Sequence, residues 1–152
     1  MWNGLDKVNA AISIRCTSTS DLQNAIRIAA EQGVPVFVLG SSHDWYRRGV
    51  AEEGITLDLR DMRHVSVSPE HSMLTAAGAA GGTIVKNAID VLPEGYALVT
   101  GVHTQVGLAG PGTGRRGGYG KLNPCFGLVT GITSKSRGGA GRWLTGHCQQ
   151  KR

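Results

Sequence analysis

The stretch Val36-Phe-Val-Leu-Gly-Ser-Ser-His-Asp-Trp45 decides the fold of this chain. Three β-favouring residues run into a Gly-Ser-Ser turn, which places a histidine at the mouth of a strand. Small residues let the backbone approach a ligand closely, and consecutive amide N–H groups in such a turn form an anion-binding nest. The same residues also fit an ordinary exit from a strand with a surface histidine, and this segment alone leaves both interpretations open.

The segments on both sides of this stretch predict further strands and helices. Ser18 and Asp21 form the capping box of a helix that Gly33 ends, and a second helical pattern follows Gly82. The predicted strands are residues 11–15, 34–39, 55–59, 65–67 and 73–76, of which the last two form a hairpin. The order β-α-β-β-β-β-α, up to about residue 110, indicates a mixed α+β domain.

Length and composition place limits on the class of protein. The chain has 152 residues, which favours one domain with a substantial core. It has neither a long apolar run nor a basic, then apolar, N-terminus, so the sequence predicts no transmembrane span, no secretory signal and a cytoplasmic location. The cysteines are odd in number and far apart, which predicts reduced thiols: Cys16, Cys125 and Cys148.

Charge is divided unevenly along the chain. Residues 1–94 contain eight basic and all eleven acidic side chains, whereas residues 95–152 contain eight basic and no acidic ones. A basic segment of this kind is typical of nucleic-acid binding. Aromatic side chains on which bases could stack are scarce there. We therefore expect no nucleic-acid partner, although a basic Gly/Arg-rich nucleic-acid-binding protein remains the alternative from another class.

A second glycine-rich segment is Thr100-Gly-Val-His-Thr-Gln-Val-Gly-Leu-Ala-Gly110. Its glycines leave little side-chain bulk, while Thr100 and Thr104 offer hydroxyl groups. Such a segment can lie against a flat ligand through backbone contacts, or it can be a plain connector, and its residues alone leave both open.

Other motifs lack the neighbouring residues and elements that their function requires. Gly112-Thr-Gly-Arg-Arg-Gly117 matches G-x-G-x-x-G, but no helix is indicated after it and no acidic residue follows. The histidines show no close pairing with each other or with the cysteines, so no metal site is predicted: His43, His64, His71, His103 and His147. No catalytic residue is predicted either.

Taken together, residues 8–130 resemble the flavin domain of the p-cresol methylhydroxylase / vanillyl-alcohol oxidase type, especially its berberine-bridge-enzyme-like branch. The Gly-Gly-Gly-His loop of such proteins corresponds to residues 40–43, and Asp44-Trp45 is also family-like. Further similar stretches are Ile55–Met62, Ala76–Ala79, Thr100-Gly101, Val106–Gly110, Gly117–Gly120 and Phe126–Leu128. The family's fold is an α+β arrangement of mixed sheets flanked by helices.

The resemblance implies FAD as cofactor, with its diphosphate over the amides of residues 40–44. His43 lies where many members bond covalently to the flavin. His103 lies where bicovalent members have a second, cysteine, linkage, so a second bond is not expected. The residues implied to contact FAD are Leu39, Gly40, Ser41, Ser42, His43, Asp44, Thr100, Gly101, Thr104, Gly107 and Gly110.

The resemblance also sets expectations for activity. Family members oxidise alcohol or amine substrates by transferring hydride to the flavin. The substrate domain has no counterpart in this sequence, so we expect a truncated FAD-binding domain that is inactive alone and takes a small-molecule substrate only when that domain is supplied. Two family glycines are replaced by Ser41 and Ser42, which narrows the allowed backbone angles.

Residues 131–152 form a Gly/Arg-rich tail without an amphipathic pattern, for which we expect no regular structure. A genetic explanation is open. With synonymous codons chosen for it, Pro111-Gly-Thr-Gly-Arg-Arg116 shifted by one base encodes Leu-Ala-Leu-Gly-Gly, which the family has at this place. Gly138-Gly-Ala-Gly-Arg-Trp143 shifted likewise encodes Val-Val-Leu-Ala-Asp, a family-like strand and turn. Our hypothesis is that changes of reading frame altered both segments.

Overall fold

The computed structural model describes residues 9–50, 52–68, 73–90, 96–110, 118–136, 144–147 and 149–150. The described elements, in chain order, are β1 (Ile12–Arg15), α1 (Thr19–Glu31), β2 (Val36–Leu39), β3 (Ile55–Asp58), β4 (Val65–Ser68), β5 (Met73–Ala76), α2 (Gly82–Asp90), β6 (Tyr96–Ala97), α3 (Asn123–Phe126), α4 (Val129–Ile132), β7 (Thr133–Ser136), β8 (Leu144–His147) and β9 (Gln149–Gln150).

A parallel sheet forms the first half of the domain. Its strand order is β1-β3-β2, and Ile55 of the central strand lies opposite both Ile12 and Val36. All four residues of β3 are buried, as a central parallel strand requires. Helix α1 packs on this sheet, and the buried residues of this core are Cys16, Leu22, Ala25, Ala29, Ile55, Leu57, Leu59 and Ala79. The parallel direction brings the carboxyl ends of all three strands to one edge.

Helix α1 begins as the sequence predicts. The Oγ of Ser18 accepts the N–H of Asp21 at 3.1 Å, and the Asp21 carboxylate accepts the N–H of Ser18 at 2.9 Å. Hydrogen bonds from Thr17, and then from Ser18, hold the pKa of Asp21 at about 2. Gly33 follows the helix with φ +63°, the left-handed conformation that glycine adopts easily. The capping box and the stop are both confirmed.

An antiparallel sheet forms the second half, with the order β4-β5-β8-β7. The predicted hairpin is confirmed, since Val65 of β4 lies opposite Ala76 of β5. Helix α2 packs beside it, and the buried residues of this second core are Leu74, Ala76, Ala80, Val85 and Leu108. Leu108 comes from the glycine-rich segment, so that segment is anchored in a core.

Strands β7, β8 and β9 lie in the tail for which the sequence indicates no regular structure. β8 pairs with β5 on one side and β7 on the other, and β9 pairs with β6. Backbone groups make these ladders, so the edge of β5 can hold a strand whose side chains lack an amphipathic pattern. The structure therefore differs from the expected unstructured tail at these strands, while the domain boundary near residue 130 stays a prediction.

The observed order of elements from β1 to α2 agrees with the predicted order, and the α+β class is confirmed. Every helix in the described ranges is too short or too polar to cross a membrane. Cys16 is buried and Cys125 exposed, and both are free thiols. The G-x-G-x-x-G sequence at 112–117 and Cys148 lie outside the described residues.

Candidate functional site

Residues 40–50, which we call the first loop, leave the carboxyl end of β2. Ligands of open parallel sheets bind beyond this edge. The last strand residue, Leu39, is buried, and the loop then folds back against its own strand. A Cβ at Gly49 would lie 2.7 Å from the carbonyl oxygen of Val38, so only glycine permits this return. The sequence thus fixes where the first loop starts and how closely it returns.

The Asp44 side chain holds the first loop in shape. Its carboxylate accepts the N–H groups of Tyr46 at 3.4 Å and Arg48 at 2.8 Å. The Arg48 guanidinium also donates to it at 2.9 and 3.0 Å, and this lowers the pKa of Asp44. The bonds span a segment in which Arg47 has φ +55°, a strained conformation for a non-glycine residue. Asp44 therefore shapes the loop through its own side chain.

Two backbone donors of the first loop point to anion binding. Within the described part of the chain, the amides of Ser41 and Ser42 donate no hydrogen bond to the protein. Ser42 has φ +70°, and a left-handed residue within a run of amides is typical of an anion nest. Ser42, whose side chain is expected to narrow its allowed backbone angles, thus adopts the left-handed conformation nonetheless.

Residues 100–110, which we call the second loop, lie directly against the first. The amide of Gly107 donates to Ser41 Oγ at 2.7 Å. A Cβ at Gly107 would lie 3.0 Å from both Ser41 Cβ and Ser41 Oγ, so a side chain there would crowd the contact. The second loop is held from behind by bonds from Leu108 to Ala80 and from Ala109 to Gly78. The two segments that the sequence singled out therefore form one site.

Two histidines meet where the loops join. The ring centroids of His43 and His103 are 4.9 Å apart, with the planes tilted by 40°. The backbone amide of Gln105 donates to Nδ1 of His103 at 3.2 Å, and the Gln105 side chain hydrogen-bonds to His43. Burial, and secondarily the neighbouring His103, lower the pKa of His43. The net shift favours the uncharged imidazole of His43, against the opposing effect of the Gln105 hydrogen bond, and both second-loop residues contact the ring.

The other residues predicted to contact FAD surround the pair of histidines less closely. Gly40 lies next to Gly78, whose carbonyl oxygen is 3.9 Å from a Cβ built at Gly40. Thr104 is exposed, and its carbonyl accepts the N–H of Thr83 at 3.2 Å. Gly110 has open space around it.

Thr100 and Gly101 form the start of the second loop. A Cβ at Gly101 would lie 3.0 Å from the side chain of Val106, while the carbonyl of Thr100 closely approaches Gly120. These contacts fix the backbone of the loop at its base rather than at the histidines.

Sequence reasoning missed the pairing of His43 with His103. The two histidines are sixty residues apart, so their spacing in the sequence shows no pairing, and the fold brings their rings into contact. Sequence reasoning also missed Gln105, whose contacts depend on how the second loop folds back. The family position of His103 was the one signal that pointed to this place.

Comparison with known proteins identifies the class. Residues 10–144 match the FAD binding domain family. The chain is 30% identical over 131 residues to (R)-6-hydroxynicotine oxidase of Paenarthrobacter nicotinovorans, covering 86% of this chain and 28% of that protein. It is 37% identical over 123 residues to the FAD-linked oxidoreductase hasG of Aspergillus fumigatus, covering 80% of this chain and 25% of that protein.

The solved structures agree. That of 6-hydroxy-D-nicotine oxidase from Arthrobacter nicotinovorans superposes with a TM-score of 0.84 at 24% identity, over 99% of this chain and 39% of that one. The fold and site define a flavin-binding domain of the p-cresol methylhydroxylase type. The chain belongs to the FAD binding domain family, and it spans about a quarter of the length of these curated relatives.

FAD is therefore the cofactor, and the described residues fit it. Two amides of the first loop are donors without a protein acceptor, and diphosphate oxygens are strong acceptors. Ser41 and Gly107 bring the second loop beside these donors without adding bulk. A flat ring system can therefore lie along glycine-rich backbone close to His43.

Proposed function

We propose that the two loops bind FAD and that the chain is the cofactor-binding part of an oxidoreductase for small alcohol or amine substrates. The single observation that carries the proposal is the pair of donor amides at Ser41 and Ser42, beside a second loop clasped to the first through Gly107. Residues 8–130 form the FAD-binding domain in this proposal.

Each part of the site has a role in binding. The amides of residues 40–44 take the diphosphate, with Leu39 anchoring the loop in the core. The second loop lies along the flavin with Thr100, Gly101, Thr104, Gly107 and Gly110. His43 bonds to the flavin through a ring nitrogen, since it lies at the junction of the loops as a neutral imidazole. Bound FAD supplies the two-electron acceptor for hydride from the substrate.

The substrate class rests on the relatives. One of them is named as an oxidase of 6-hydroxynicotine, an amine, and others as FAD-linked oxidoreductases. The chain spans about a quarter of their length, so the surface that selects a substrate is assigned to the part of these proteins that the match does not cover.

A visible spectrum tests the proposal. The full chain is expressed, and its spectrum is recorded before and after acid precipitation. We expect a yellow protein whose colour remains in the precipitate, because a His43–flavin bond survives acid. His43→Ala should retain colour in solution and lose it from the pellet, whereas the exposed-histidine control His64→Ala should behave as wild type. A colourless wild-type chain that does not bind added FAD contradicts the proposal.

A further inference from the structure

The contact between His43 and His103 has consequences for how His43 is protonated. The two ring centroids lie 4.9 Å apart. At that separation a positive charge on His103 repels one on His43, so His103 disfavours the charged form of His43. His43 is half-buried, which further disfavours its charged form.

Gln105 connects the two rings. Its backbone amide donates to Nδ1 of His103, so that nitrogen carries no proton in this arrangement and a neutral His103 carries its proton on Nε2. Its side chain hydrogen-bonds to His43. One residue of the second loop therefore orients both imidazoles at once.

Few other charged groups act on His43. Among the described residues, His103 is the ionisable side chain that shifts its titration. The adjacent carboxylate of Asp44 accepts from Arg48 and is already ion-paired. Besides burial, two residues of the second loop shift the pKa of His43 in the part of the chain that the structure describes: His103 lowers it, and the hydrogen bond of Gln105 raises it.

We infer that His103 and Gln105 are positioning residues for the bond between His43 and the flavin: His103 disfavours the charged form of the His43 ring across their contact, and Gln105 orients that ring by its hydrogen bond. The inference rests on the proposed function. A neutral imidazole has a nitrogen lone pair with which to form the bond, and a protonated one has none. The attachment replaces one imidazole N–H bond and one C–H bond of the flavin 8α-methyl group by a nitrogen–carbon bond. The two hydrogens and their electrons pass to the flavin ring and on to dioxygen.

The first test uses the full chain without FAD. Long-range ¹H–¹⁵N NMR of the histidine rings, recorded from pH 5 to pH 8, gives the titration midpoint and tautomer of His43. His103→Ala removes the repelling neighbour, and Gln105→Glu places a carboxylate beside the ring, so each should move the His43 midpoint to higher pH. The matched controls His64→Ala and Gln23→Glu change exposed residues outside the two loops and should leave it in place.

The second test follows flavin attachment. Acid-stable colour is measured against time and pH after FAD is added to the apoprotein, with FAD affinity measured in parallel. His103→Ala and Gln105→Glu should slow attachment roughly tenfold near pH 6, because each variant leaves more of His43 protonated and a one-unit rise in its pKa removes up to about tenfold of the neutral form. Both should regain rate as the pH rises, with FAD affinity nearly unchanged.

The two possible failures appear in different measurements. A wild-type chain that binds no FAD contradicts the proposed function. A His43 midpoint that is the same in wild type and both variants contradicts the positioning role, as does an attachment rate that neither variant alters. Equal loss of rate at every pH means a structural role alone and also overturns the inference.

Discussion

The backbone amide of Gly107 donates a hydrogen bond to Oγ of Ser41 at 2.7 Å, across 66 positions of sequence. The bond joins the two loops of the site, and each partner suits it. Ser41 supplies the acceptor, and glycine at 107 leaves room for the approach. The side chain of Ser41 therefore supplies an interloop contact that glycine at this position could not make.

Removing the hydroxyl of Ser41 should loosen the junction of the loops. Ser41→Ala leaves the Gly107 amide without its partner, which costs about 1 kcal/mol of unfolding free energy. Urea denaturation measures this loss, and FAD titration should show weaker binding. Ser13→Ala, an exposed serine on β1, is the matched control and should change neither. Equal stability of the two variants would contradict the importance of this bond.

Gly49 should tolerate no side chain. In Gly49→Ala the new methyl group lies 2.7 Å from the carbonyl oxygen of Val38, so the first loop must move off its strand. Overpacking of this kind costs about 1–3 kcal/mol. Thermal unfolding compares it with Gly110→Ala, where nothing lies within 4 Å of the added carbon. If both variants melt at the same temperature, the close return of the first loop is not needed for stability.

The sequence predicts the fold well where the signals are local. The capping box of Ser18 and Asp21 and the strand that ends at Leu39 depend on neighbouring residues alone, and the structure has both. The pairing of β8 with β5 depends on backbone groups that are far apart in the chain, so no side-chain pattern announces it. Long-range pairing of this kind is where sequence reasoning fails here.

The candidate site shows the same difference between local signals and long-range contacts. The residues of both loops could be chosen from their glycines and from the family resemblance, and the structure places the loops in contact through Ser41 and Gly107. The meeting of His43 with His103 could not be foreseen, because it depends on how one loop folds onto another. The hydrogen bonds by which Asp44 stabilises the first loop depend on local backbone angles that the sequence does not determine.

The gene should reveal whether the basic segments arose by changes of reading frame. Residues 111–116 and part of the tail lie outside the described residues, and both are free of acidic side chains. If the hypothesis holds, the neighbouring frame of the DNA encodes Leu-Ala-Leu-Gly-Gly across the first segment and a flavoprotein-like strand across the second. Sequencing the gene decides this, and a neighbouring frame with neither sequence contradicts it.

Binding of FAD should depend on the charge of Asp44 in a predictable direction. Arg48 holds the folded-state pKa of this carboxyl below its ordinary value, so the ionised form is the one that stabilises the loop. The contribution is full above the ordinary pKa and is lost as the pH falls through the lowered folded-state value. Asp44→Asn should weaken FAD binding roughly tenfold at pH 7, because it removes hydrogen bonds to a charged group. Flavin fluorescence titrations at decreasing pH should show wild type and variant converging.

Asp61→Asn removes another ion-paired carboxylate, one that bonds to Arg15, and serves as the control. Since Asp61 lies outside both loops, its variant should keep wild-type FAD affinity at pH 7. A gap between wild type and Asp44→Asn that persists undiminished in acid would mean that Asp44 acts on FAD through something other than its charge.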